Sequence, residues 1–160
     1  MSSPAQTLPA AGLYRTLFAH PNAEHARAVP GGVLVYFHPT SEQGPPLVAL
    51  PEGNAHNAWS FSRKGFLIPE TSWCATLSPL PPQGYYVASS DLVLQNGQKL
   101  PQGMLVQLGY TRQAQPIVFP SRHDAEANAI VFAEQGALIT DLQLLDLAPL
   151  PFRMMAPAKG

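Results

Sequence analysis

Two stretches of the chain carry the same alternation of side chains. In VPGGVLVYFHPT (29–40), Val33, Val35 and Phe37 alternate with Leu34, Tyr36 and His38; in LPQGMLVQLGYT (100–111), Met104, Val106 and Leu108 alternate with Leu105, Gln107 and Gly109. A period of two sends successive side chains to opposite faces of a strand. The set that stays apolar in both stretches is assigned to the core, and Leu34, Tyr36 and His38 point outward. Further short apolar runs follow: PLVAL and PIVF, then the strands after Asn57 and Asn128, then glycine turns at Gly65 and Gly136 leading into FLIP and ALIT. In DLVLQNGQKL the pair Asn96-Gly97 between apolar runs predicts a tight hairpin over 92–100 with positive φ at both central residues. Helical periodicity is almost absent. TDLQLLDL is long enough for a single turn, with Asp141 as its expected cap. About five short strands in about 70 residues, punctuated by Gly, Pro, Asn and Ser, predict an all-β fold built as a small barrel or sandwich.

The recurrence extends beyond one strand. A shift of 71 residues lays Pro30 on Pro101, Gly32 on Gly103, Leu34 on Leu105 and Val35 on Val106, and NAWSFSRKGFLI (57–68) on NAIVFAEQGALI (128–139). After small insertions GLY (12–14) meets GYY (84–86) and SPLPP (78–82) meets APLPF (148–152). An ordered series of matches from first strand to closing proline motif implies internal duplication. The expected units are residues 11–82 and 83–153, with tails at 1–10 and 154–160. The proline-rich joint SPLPPQGYY acts as a stiff spacer. A unit this small buries only about 60% of its unfolded surface, so the halves are expected to dock on each other.

The unit resembles an SH3-like barrel. PGGVLVYF and PQGMLVQL resemble the glycine-led second strand of that family, KGFLIPETSW resembles its closing Gly-x-Ile-Pro segment, and Tyr14 and Tyr86 sit where its first-strand aromatic motif lies. The resemblance implies two tandem small SH3-like barrels. It also implies an aromatic groove that receives an extended, proline-rich peptide, because rigid rings stack on a preformed polyproline helix at low entropic cost. Carried over by position, that groove involves Tyr14, Pro69 and Trp73, with Trp59 one strand away. The second unit keeps Tyr86 but has Thr140 in place of the proline and Leu144 near the Trp73 position.

Composition narrows the partners. Charged residues are 12% of the chain, and nine Lys plus Arg against ten Asp plus Glu leave a net charge of −1. Binding to a phosphate backbone or an anionic lipid surface needs a basic excess that is missing, so neither nucleic acid nor membrane is an expected partner. A sparsely charged, nearly neutral surface favours association with protein partners or with itself, so a homo-oligomer is one expected state. The start of the sequence lacks a basic, then apolar, leader and no run reaches about 18 apolar residues, which gives a cytoplasmic location as the expectation.

Candidate chemistry is thin. Cys74 has no second cysteine and no zinc-ligand spacing, and reads as a small buried hydrophobe. His20, His25, His38, His56 and His123 have no counterpart histidines under the repeat and form no paired motif suited to one metal. Neither a catalytic site, a metal site nor a cofactor is expected. The aromatics present only in the first unit are Tyr36, Trp59 and Trp73, standing where the second has Gln107, Ile130 and Leu144. Core filling is one reading of the two tryptophans and partner contact the other. Tyr36 lies on the outward face, where a large ring has no packing reason to be, and is a candidate contact residue; Tyr110 is a weaker one. The expected partner-binding set is therefore Tyr14, Tyr36, Trp59, Pro69 and Trp73. The expected role is a non-enzymatic protein-protein interaction module, with a structural subunit of a virion or secretion-type particle as the alternative and an enzyme of unknown type as the second.

Overall fold

The computed structural model describes residues 7–150, and the last positions expected in the second unit, 151–153, lie outside them. Strands dominate. The first half contains β1 (Gly12–Arg15), α1 (Ala23–Ala26), β2 (Leu34–His38), β3 (Leu47–Ala49), β4 (Pro51–Ala55), β5 (Ala58–Phe61), β6 (Phe66–Leu67), α2 (Thr71–Cys74) and β7 (Ser78–Pro79). The second contains β8 (Gly84–Ala88), β9 (Leu92–Val93), β10 (Lys99–Leu100), β11 (Leu105–Tyr110), β12 (Pro116–Asp124), β13 (Ala129–Phe132), β14 (Ala137–Leu138), α3 (Asp141–Leu144) and β15 (Leu147–Pro149). Each helix is a single turn.

The main sheets run β6-β3-β2-β1-β7 and β13-β12-β11-β8-β15, with β14 also on β12, and the neighbours pair antiparallel. Both sheets are open in their hydrogen bonding. Main-chain bonds recur position by position. Thr16 N–H donates to Val33 O as Ala88 does to Met104 O, and Gly32 to Thr16 O as Gly103 to Ala88 O. Ile68 donates to Pro46 O as Ile139 does to Pro116 O, and Leu80 to Leu13 O as Leu150 to Tyr85 O. The Tyr14 and Tyr86 hydroxyls each donate to a carbonyl four residues earlier, Ala10 and Pro82.

The shared residues have physical reasons to be shared. Asn57 and Asn128 enter β5 and β13 with φ of 64° and 48°, a left-handed backbone that Asn tolerates. Gly65 and Gly136 instead keep side-chain space clear: a Cβ on Gly136 would lie 2.6 Å from Ile117 Cγ1, and one on Gly65 would strike Leu47 Cδ1. Two local expectations need correction. Only Gly97 of the Asn96-Gly97 pair has positive φ, because Gly97 N–H bonds Leu94 O and Leu94 N–H bonds Gln98 O around a three-residue loop. Helix α3 is capped by Thr140, which exchanges bonds with Gln143 in a capping box; Asp141 is free to reach elsewhere.

The halves pack directly. One core gathers Tyr14, Val29, Val35, Phe37, Val48, Ile68 and Trp73 of the first half. The other, built on Val106, Leu108, Tyr110 and Val118, takes in Leu13 and Leu34 from the first half as well. Leu34, assigned outward by alternation, is therefore fully buried, because the outer face of its strand is covered by the second half. Gln107 is buried for the same reason: its Nε2 donates to His56 O at 2.6 Å and its Oε1 accepts from Asn57 Nδ2 at 3.1 Å. Met104 and Val33 remain half-buried at the strand entrances.

Candidate functional site: an aromatic depression beside the joint

An apolar depression of about 470 Å³ opens where the outer face of β1, β2 and β5 meets the joint between the halves. Tyr14, Tyr36, Trp59 and Phe61 line it, with Leu80, Pro82 and Gln83 contributed by the joint. Alternation places Tyr36 on that face, and Phe61 comes beside it from β5, with ring centroids 5.6 Å apart. His38, two residues on, is exposed, with its ring centroid 4.7 Å from that of Tyr36 and the planes tilted by 44°. Tyr36 is half-buried and packs, with Trp59 and Phe61, against the core of the second half.

Trp59 is fixed from three directions. Its Nε1 donates to Tyr110 O at 2.6 Å, the Arg112 guanidinium lies 4.8 Å from its ring centroid, and Gln83 straddles its main chain, accepting from Trp59 N–H at 2.7 Å and donating to Trp59 O at 3.2 Å. The Tyr110 hydroxyl donates to Pro81 O at 2.7 Å, which ties the joint to the second half. Burial raises the Tyr110 and Tyr86 hydroxyl pKa values, so both rings are neutral donors throughout the working range. On the adjoining side Arg15 forms a forked pair with Asp141, at 2.7 and 2.9 Å, and also donates to Ala114 O. The hydrogen bond from Arg15 holds the Asp141 carboxyl below its usual range. This frame gives the depression rigid aromatic walls.

Of the five residues nominated from sequence, Tyr14, Tyr36 and Trp59 share this depression; Pro69 and Trp73 lie elsewhere. Trp73 is buried in the first core, with Nε1 donating to Ala19 O and its ring 6.0 Å from that of His20. Pro69 is exposed at the rim of a separate depression with His20, Asn22 and Glu70. The positional carry-over pairs Pro69 with Trp73, but α2 turns the indole inward to cover the loop after β1. Sequence reasoning missed Phe61, Leu80, Pro82 and Gln83. Phe61 could have been found, since it sits two residues from Trp59 on a strand; Gln83 carried no signal, because its role depends on where the joint crosses β5. Tyr110 is an internal anchor.

A larger depression, about 640 Å³, lies between the β2–β3 and β5–β6 connections, with His38, Ser41, Glu42, Arg63 and Lys64 on its walls. Its charges are mixed and exposed. His20 is buried, its Nε2 bonded to Leu67 O and its Nδ1 accepting from Asn22 N–H, which makes it a loop fastener. The Cys74 thiol is fully buried and burial raises its pKa. No cluster of three or more His, Cys, Asp or Glu suited to a metal occurs among the described residues, and none of their helices is long and apolar enough to cross a membrane.

Compared with protein-family models, curated protein sequences and solved structures, the chain matches none.

Proposed function

We propose that the chain is a non-enzymatic protein-contact module made of two tandem SH3-like barrels, residues 11–82 and 83–153, that arose by internal duplication and dock into one body. The matching strand orders and the repeated main-chain bonds support the duplication. The contact surface is the aromatic depression, and its partner is an extended, proline-rich segment of another protein. The observation that carries the reading is the gathering of Tyr14, Tyr36, Trp59 and Phe61 beside prolines. Rigid rings offer large contact area with few rotors to freeze, which suits a preformed polyproline helix.

The test is titration of the full chain with a synthetic decaproline peptide, followed by amide resonances and tryptophan emission. Shifts concentrated at Tyr36, Trp59 and Phe61, reduced about tenfold in affinity by Tyr36→Ala, are expected for loss of one central contact of about 1.4 kcal/mol. Absence of shifts at millimolar peptide, or shifts confined to other faces, would refute the reading.

A second reading, a structural subunit of a virion or secretion-type particle, draws on a different surface. Val93, Leu142 and Leu145 are 59, 75 and 78% exposed and lie close together, since Gln143 Nε2 bonds Val93 O. Light scattering separates the two: species much larger than a dimer favour the particle.

A further inference from the structure

Several sheet edges in this molecule are guarded. A free edge presents unpaired N–H and C=O groups to any passing strand, and proteins blunt it with prolines, charges, short strands or side-chain plugs. Strands β7 and β15, at one end of each main sheet, carry Pro79 and Pro149, and β6, at the other end of the first, is two residues long. The outer edge of β5 is plugged: the Gln83 carboxamide supplies one acceptor and one donor to the main chain of Trp59, as a peptide unit of a neighbouring strand does.

Strand β13 has none of these. It is Ala-Ile-Val-Phe, without charge or proline, and it ends its sheet with β12 on one side only. Ala133 N–H donates inward to Pro120 O, so by antiparallel alternation Val131 and Ala129 bond inward and Ile130 and Phe132 turn their main-chain groups outward. Ile130 holds the place of Trp59 in the other half: one faces His123 across its hairpin, the other Asn54. Ile130 is 62% exposed, and Phe132 packs at 5.3 Å against the exposed ring of Tyr85. The residue that matches Gln83 in the repeat is Arg153, outside the described residues, whose guanidinium has donors but no acceptor.

We propose that the outer edge of β13 accepts an added strand, and that this strand is β13 of a second copy, paired antiparallel about a two-fold axis. Ile130 of one copy then exchanges both main-chain bonds with Phe132 of the other, and the two Val131 residues meet on the axis. The arrangement is self-complementary. Glu134 falls opposite Asn128 rather than another acid, and a net charge of −1 offers little long-range repulsion. The first half shows the chemistry this edge position takes, an amide donor and acceptor together, and the main chain of a second copy supplies both. The pairing is independent of the aromatic depression, so loss of one leaves the other testable.

Sedimentation equilibrium of the full chain from micromolar to millimolar concentration is the test. A reversible monomer–dimer equilibrium is expected, weakened at least tenfold by Ile130→Pro, which removes an outward N–H, and by Ile130→Lys, which keeps the N–H but guards the edge. Should either variant fold poorly, hydrogen exchange of the unaltered chain decides: protection of the Ile130 and Phe132 amides should rise with concentration. A strictly monomeric chain at millimolar concentration, a dimer unaffected by both variants, assemblies larger than a dimer, or unchanged protection at those two amides would each overturn the proposal.

Discussion

Gly109→Ala tests the packing of the two halves with the least chemical change. Gly109 lies within β11, is buried, and does not have a positive φ, so alanine is acceptable to the backbone and the effect is steric. An added Cβ would lie 2.8 Å from the Asn57 carbonyl oxygen, while its contacts with Phe119 and Ile117, at 3.5 and 3.7 Å, are ordinary. Reaching a tolerable 3.4 Å requires the β4–β5 hairpin to recede by about 0.6 Å. That hairpin is held at Gln107 Nε2–His56 O and Trp59 Nε1–Tyr110 O, both 2.6 Å, so recession stretches two short bonds together. Overpacking of this kind costs about 1–3 kcal/mol. For a chain of 160 residues that lowers the melting midpoint by about 2–12 °C. Calorimetry reads the midpoint, and Trp59 emission should shift to the red because the receding hairpin opens the half-buried indole to water. An unchanged midpoint with unchanged emission would show that the hairpin does not rest on β11 and would remove the account of how the halves are joined.

The Arg15–Asp141 pair contributes in a pH-dependent manner. The folded pKa of Asp141 is depressed, first by the hydrogen bond from Arg15, so the stabilisation is present above the ordinary carboxylate range and is lost as pH falls through the folded value. With the Asp141 side chain 61% exposed the gain is screened to about 0.5 kcal/mol, so the midpoints of the parent and Asp141→Asn should differ by a degree or two at pH 7 and converge as the pH falls through the depressed folded value. Cys74 should react with a thiol reagent only as fast as the first half unfolds, because its sulfur is fully buried and its pKa is raised by desolvation; rapid labelling of the native chain would contradict its place in the core.

Much of the local structure was legible in the sequence because it rests on short-range rules. Alternation identified β2 and β11, left-handed asparagines and crowded glycines explain the identities shared by the halves, and the scarcity of helical periodicity gave the all-β class. Tyr36 was read as an outward ring with no packing reason, yet it is half-buried and packs, with Trp59 and Phe61, against the core of the second half. Leu34 shows where such rules stop. Alternation tells which way a side chain points but not what lies beyond it, and the second half turned an outward position into a fully buried one. The same holds for Trp73, whose neighbours on α2 and the loop after β1 are joined only by folding, and for Gln83, whose carboxamide matters because the joint happens to pass the edge of β5. The sequence by itself determined the strands, their faces and the recurrence of one pattern. Tertiary structure decided which outer faces are covered, since that depends on how the two halves of the chain meet, a contact between residues far apart in the chain that no local periodicity encodes.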